Sequence, residues 1–138
     1  MRRWWIVAAG LNGLAAVTAG AAARHLWGDD TASVQMAETA VRYGLAHAVA
    51  LLALATFPVP TRNLARRLLA AAGGSLALGA TLFAGGLYAL AAGAPPALTF
   101  VVPVGGSLMI LGWGSLLAYG VALGREKRAE ARKSAGDR

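Results

Sequence analysis

The sequence predicts an all-α protein: an integral membrane four-helix bundle with its N and C termini on the cytoplasmic side. Hydrophobic residues form 57% of the 138-residue chain and charged residues 14%, against about 25% charged residues in soluble domains. Uncharged stretches of 20, 19 and 57 residues separate Arg3 from Arg24, Arg42 from Arg62, and Arg67 from Arg125. A bilayer core about 30 Å thick takes about 20 helical residues, so the longest stretch crosses twice and four spans result.

The first span covers about residues 4–23. Two arginines precede it and Trp4 and Trp5 begin it, and these residue types favour the headgroup region. The same segment, ending in three alanines, also fits a secretory signal peptide with a small-residue cleavage site. Asn12 at its centre and a length beyond the usual signal core favour a retained, packed helix, and both interpretations stay open at this point.

The second span covers about residues 41–57 and ends at two nearby prolines. Before it, Asp30, Thr31 and Ser33 are residue types that cap helix N-termini with their side-chain oxygens. Apolar residues at helical spacing follow, so a short amphipathic helix over about 31–41 is expected in the outer-face loop, leading directly into the span.

The third and fourth spans cover about residues 68–92 and 98–123, separated by Gly93, Pro95 and Pro96. Two adjacent prolines oppose helix continuation and predict the turn. Residues 1–124 therefore form the transmembrane domain. Residues 125–138 form a basic cytoplasmic tail with charges of both signs, expected to be frayed or disordered.

The distribution of lysine and arginine predicts the orientation. The N-terminus carries two of them, the loop at Arg62 three and the tail six, whereas the opposite side carries only Arg24 and Arg42. The side rich in positive charge stays in the cytoplasm. Localisation in a bacterial cytoplasmic (inner) membrane follows, with the lipid bilayer as the first partner.

Small and polar residues within the spans predict how the helices associate. Lipid is as apolar as leucine, so helices in a bilayer associate through close packing and interhelical hydrogen bonds. We expect a compact bundle, and either a homo-oligomer or a place in a larger membrane complex. The candidate packing residues are Asn12, Gly13, Gly20, Gly79, Gly86, Gly105, Gly106 and Gly112.

Groups that could carry chemistry are few. Cysteine is absent and all six acidic residues lie outside the spans, so no catalytic residue, metal site or cofactor is predicted. The basic residues flank apolar segments instead of forming one face, which argues against nucleic acid as a partner. The candidate ligand-binding residues, expected near the outer membrane face, are His25, Tyr43, His47, Tyr88 and Trp113. A structural role for His47, bonding a neighbouring helix, is the simpler interpretation.

Four segments carry a resemblance to a known family: GAAARHL at 20–26, RYGLAHAVALL at 42–52, LFAGGLY at 82–88 and PVGGSLMILGW at 103–113. In this order they resemble the YgdD-like family of small bacterial inner-membrane proteins, a domain of unknown function (four-two-three) related to a eukaryotic transmembrane family. The resemblance implies a four-span inner-membrane protein and no established activity. The positions it singles out are His25, Tyr43, His47, Phe83, Gly85, Tyr88, Pro103, Gly105, Gly106, Gly112 and Trp113.

Three functional hypotheses follow. The first is a non-enzymatic packing, accessory or assembly component of the cytoplasmic membrane, because packing groups abound and catalytic groups do not. The second is a small-molecule or cofactor site, of quinone or haem type, near the outer face around the two histidines. The third is a minimal transporter or channel, which the absence of a carboxylate within the spans disfavours.

Overall fold

The computed structural model describes residues 2–28 and 30–136, and over those residues the chain forms helices and no strand. The helices are α1 (Arg2–Trp27), α2 (Thr31–Thr56), α3 (Asn63–Ala91) and α4 (Val101–Gly136), with a short 3₁₀ helix at Pro96–Phe100 before α4. All four α-helices are long and apolar enough to cross a membrane. The prediction of an all-α, four-helix membrane fold is confirmed.

Short connections join the helices. Gly28 has a φ of 52° after α1, and Gly93 has a φ of 85° after α3, a region that favours glycine. The Asp30 carboxylate caps α2 by accepting hydrogen bonds from Ala32 N at 3.2 Å and Ser33 Oγ at 2.6 Å. The Ser33 hydroxyl, with the backbone N–H groups of the first turn, holds the pKa of Asp30 below its usual value.

Helix α3 lies at the centre of the bundle and packs against the other three helices. Helices α1 and α2 pack against each other and against α3. Helix α4 packs along α3 and reaches α2 through a hydrogen bond between Trp113 and His47 and a ring contact between Tyr119 and Phe57. The fourth helix is therefore attached mainly along one side.

The segment predicted as a short amphipathic helix leads directly into the second span, and the two form one continuous helix, Thr31–Thr56. The tail predicted to be frayed or disordered continues α4 as far as Gly136, because alanine, lysine, arginine and glutamate are all favourable in a helix. Four antiparallel spans put Arg2 and Arg125 at the same end of the bundle, and placing that end in the cytoplasm stays a prediction from charge.

The buried core consists mainly of alanine, with Leu51, Leu54, Leu69 and Leu76 as its largest fully buried side chains. Small side chains let the helix backbones approach closely, which is how helices associate in lipid. Trp5 also belongs to the core at 6% exposure, so its indole packs between helices, whereas Trp4 beside it is 64% exposed.

Candidate functional site

Among the described helices, the closest backbone-to-backbone contact is the seam between α3 and α4, where the two helices meet at glycines. A Cβ atom on Gly79 would lie 2.8 Å from Gly105 O, and one on Gly105 would lie 2.5 Å from Phe83 N. About two helical turns further along α4, a Cβ on Gly112 would lie 2.7 Å from Leu76 Cγ. Any larger residue at these positions would force the helices apart. We call this contact the glycine seam.

The other glycines expected to pack are placed less tightly. A Cβ on Gly86 would meet Val102 at 3.1 Å and one on Gly20 would meet Val41 at 3.4 Å, which are close contacts. At Gly13 and Gly106 the nearest side-chain atoms are 3.9 Å and 3.8 Å away. Gly120 and Gly124, a GxxxG pair in sequence, have nothing within 4 Å. Helix spacing alone did not separate seam glycines from open ones.

Gly73 is a packing position that the sequence analysis did not single out. The Trp5 indole lies directly on it, where a Cβ atom would clash with three ring atoms. Only the fold shows this contact, because α1 and α3 run side by side although the two residues are far apart in sequence. The neighbouring Gly74 has nothing within 4 Å.

Asn12 joins α1 to α3 through a directed chain of hydrogen bonds. Its Nδ2 donates to Ala8 O at 2.9 Å and to Thr81 Oγ1 at 3.0 Å. The Thr81 hydroxyl in turn donates to Ala77 O at 2.9 Å. Interhelical bonds of this kind contribute about 0.6 kcal/mol on average, so Asn12 sets the register of two helices more than it stabilises them.

His47 joins α2 to α4 and is 6% exposed. Trp113 Nε1 donates to His47 Nε2 at 3.2 Å, and His47 Nδ1 lies 2.8 Å from Tyr43 O. An indole N–H only donates and a carbonyl oxygen only accepts, so His47 carries its proton on Nδ1 and accepts at Nε2. Both ring nitrogens are in use, and coordination of a haem or metal ion would first have to break the Trp113 bond.

Aromatic rings surround this histidine. Tyr43 stacks on His47 with centroids 6.1 Å apart and lies 4.7 Å from Phe83, while Trp113 meets the imidazole edge at 6.1 Å. Offset and edge-to-face pairs each contribute about 0.5–1.5 kcal/mol beyond burial. The cluster of Tyr43, His47, Phe83 and Trp113 thus ties three helices together.

The remaining two candidate ligand-binding residues lie elsewhere. Gly20 faces Val41 and Gly13 faces Ala48, and these two contacts align α1 with α2. In this alignment His25 is level with the residue of α2 that lies eleven positions before His47. His25 and His47 are therefore separated by roughly 16 Å along the helix axis. His25 is exposed, and Tyr88 lines a groove between α1 and α3. In the same alignment, His47 of α2 is level with the middle of α1, so it lies deeper in the bundle than the outer end does.

The geometry of the cluster favours structure over chemistry. Among residues 2–28 and 30–136, no three histidine, cysteine or acidic side chains are grouped so that they could hold a metal ion. Several hydroxyl groups within the spans donate hydrogen bonds to backbone carbonyls of their own helix. Ser115 donates to Leu111 O at 2.8 Å and Thr56 donates to Ala53 O at 2.7 Å.

Comparison with known proteins identifies the family. A family model described as a protein of unknown function (DUF423) matches residues 19–106, more than half of the chain. The chain belongs to the DUF423 family. The resemblance inferred from the four sequence segments is confirmed.

Two relatives cover nearly the whole of this family member. The "UPF0382 membrane protein" of Haemophilus influenzae is 32% identical over 122 residues, covering 87% of this chain and 94% of the relative. The "UPF0382 inner membrane protein YgdD" of Escherichia coli K12 is 32% identical over 129 residues, covering 90% and 94%. No solved structure matches. With four membrane-spanning helices and inner-membrane relatives, the protein is a multi-pass inner-membrane protein of unknown function.

Proposed function

We propose that the protein is a non-enzymatic packing component that assembles with other membrane helices through the outward side of α4. The observation that carries this proposal is the one-sided attachment of α4. Only 17% of its membrane-spanning segment is buried, against 22% in α1 and 39% in α2 and in α3. The glycine seam holds one side of this helix, and the residues on the opposite side are exposed.

The outward side of α4 combines large apolar side chains with a small residue, as helix-packing surfaces in membranes do. Ile110, Gly114, Leu117 and Val121 recur at spacings of three and four residues and are all exposed; we call them the outer face. Ile110 and Leu117 are 73% and 71% exposed, and Gly114 between them meets nothing within 4 Å. A small residue between large ones lets a second backbone approach closely.

The internal hydrogen bonds support a structural role in place of a catalytic one. Asn12 donates a hydrogen to Thr81 on α3, and His47 accepts one from Trp113 on α4 while its own hydrogen goes to Tyr43 O in α2. The hydroxyls of Thr81 and Ser115 donate to carbonyls of their own helices. General acid–base catalysis needs a titratable group within reach of a substrate. The acidic residues of the described part of the chain lie before or in the N-terminal part of α2 (Asp30 and Glu38) and in the C-terminal part of α4 beyond the fourth span (Glu126 and Glu130), away from this cluster.

In-membrane crosslinking tests the proposal, and a chain without cysteine is well suited to it. Leu117→Cys places one thiol on the outer face, and Leu14→Cys, at 68% exposure on α1, is the matched lipid-facing control. Native membranes are treated with maleimide–benzophenone crosslinkers of several lengths, whose photoreactive end needs no cysteine in the partner, and adducts are identified by mass spectrometry.

We expect one discrete adduct from the outer-face thiol and none from the α1 control. A second copy of the chain in the adduct indicates a homo-oligomer, and another membrane protein indicates a larger complex. Equal, diffuse labelling at both positions would contradict the proposal, as would monomeric protein at every crosslinker length.

A further inference from the structure

A groove of about 220 Å³ opens between α1 and α3, within the depth of the membrane. Its walls are mostly alanine, glycine and leucine, and three polar side chains interrupt them: Asn12, Thr81 and Tyr88. No charged side chain lines it. An apolar cavity of about 150 Å³ already accommodates benzene, so this groove has room for a substituted ring.

Asn12 presents an open acceptor to this groove. The side chain is 94% buried, since its exposure is 6%. Both hydrogens of Nδ2 are used, by Ala8 O and Thr81 Oγ1, and no hydrogen bond to Oδ1 is formed within residues 2–28 and 30–136. The Thr81 hydroxyl cannot serve Oδ1 because its own hydrogen goes to Ala77 O.

Tyr88 supplies a second unpaired group. Its hydroxyl is buried and has no hydrogen-bond partner in the described part of the chain. It lies seven residues, or two helical turns, from Thr81 and therefore on the same side of α3. In hydrocarbon an unsatisfied polar group costs several kcal/mol, so two such groups in one groove point to a molecule that satisfies them.

The depth and polarity of the groove define that molecule. Asn12 is the ninth residue after Arg3 and the twelfth before Arg24, near the middle of its span, out of reach of a phospholipid headgroup. The ligand is uncharged, because no charged residue lines the groove, and it must donate a hydrogen, because Oδ1 only accepts.

We propose that the groove between α1 and α3 binds an uncharged, lipid-soluble ring compound whose hydroxyl donates to Asn12 Oδ1, with Tyr88 bonding a second oxygen, the chemistry of a quinol. The proposal concerns binding only. It is independent of the outer face of α4, because α1 and α3 alone form the groove.

Two probes that differ by the critical hydrogens test it: decylubiquinol and decylubiquinone. The quinone accepts hydrogen bonds but donates none, so it leaves Asn12 Oδ1 unsatisfied. With the full-length protein in lipid nanodiscs, kept under reducing conditions for the quinol, we expect a dissociation constant at least about tenfold lower for the quinol. Equal affinities, or no binding of either probe, would overturn the proposal.

Two matched pairs of variants locate the site. Tyr88→Phe removes an unbonded hydroxyl, so it should leave thermal stability unchanged or raised while weakening quinol binding several-fold; Tyr43→Phe, outside the groove, should leave binding unchanged. Gly85→Leu fills the groove at a position with nothing within 4 Å, and Gly74→Leu is the equally open control on the same helix. Loss of binding in Gly85→Leu alone supports the site, and retained binding there refutes it.

Discussion

Replacing Gly105 with alanine should separate α3 from α4. The nearest atoms to the added Cβ are Phe83 N at 2.5 Å, Gly79 O at 2.8 Å and Phe83 Cα at 2.9 Å. All three belong to the backbone of α3, so no side-chain rotation relieves the contact. Ordinary carbon contacts are about 3.5–4.0 Å, and the helices must therefore move apart by about 1 Å at this point.

The expected loss follows from that displacement. A radial gap of about 0.5–1 Å forfeits a quarter to a half of each van der Waals contact, and overpacked cores lose about 1–3 kcal/mol. Backbone atoms face each other across the seam and cannot rotate away, so we expect the loss for Gly105→Ala to lie in the upper part of that range. In water an alanine also gains about 1 kcal/mol of helix propensity over glycine, so a control must share this gain.

Gly120→Ala is that control, because Gly120 lies on the same helix with nothing within 4 Å. Unfolding of both variants in mixed micelles, followed by circular dichroism, gives the two free energies of unfolding. We expect Gly105→Ala to be less stable than Gly120→Ala by about 2–3 kcal/mol, the upper part of the overpacking range. Equal stabilities would refute the argument that the seam is held by close backbone contact.

Three further predictions concern single contacts. Trp113→Phe keeps the ring and removes the donor to His47, so the free energy of unfolding should fall by about 0.5–1.5 kcal/mol, and nitrogen NMR should then show the imidazole Nε2 resonance displaced; an unmoved resonance would contradict the bond. Gly73→Ala should expel the buried indole of α1 and shift its fluorescence, whereas Gly74→Ala should not. Because the pKa of Asp30 is lowered from its usual value of 3.8, the cap stabilises α2 fully at pH values above 3.8 and is lost as the pH falls through the folded-state pKa. Amide protection in the first turn of α2 should decrease over that pH range, and Asp30→Ala should abolish the pH dependence.

The spacing of charged residues predicted where the four spans lie along the sequence. It could not predict the rotation of each helix about its own axis. The uncharged stretches and the turn at Gly93 indicated four spans, as found. In a soluble helix the polar side would show which face is exposed. Here lipid and core are equally apolar, so the sequence did not distinguish Gly73, which bears on Trp5, from the open Gly74.

The candidate site shows the same limit. Tyr43 lies four residues before His47, a spacing that puts two side chains on one face of a helix, and their rings stack. The donor that completes this site, Trp113, is on another helix, and its pairing with His47 depends on where α4 crosses α3. His25 could be placed at an end of α1 from the sequence, but its level relative to α2 required the observed contacts between the two helices.

The one-sided attachment of α4 has a consequence for biogenesis. A nascent chain leaves the ribosome N-terminus first, and α1, α2 and α3 contact one another without needing the last helix. Those three can therefore pair inside the membrane while α4 is still being synthesised, exposing the row of α3 glycines to lipid until their partner arrives. Insertion would then end with the docking of α4 onto α3. A defective seam would leave α4 undocked at this step and accessible to membrane proteases.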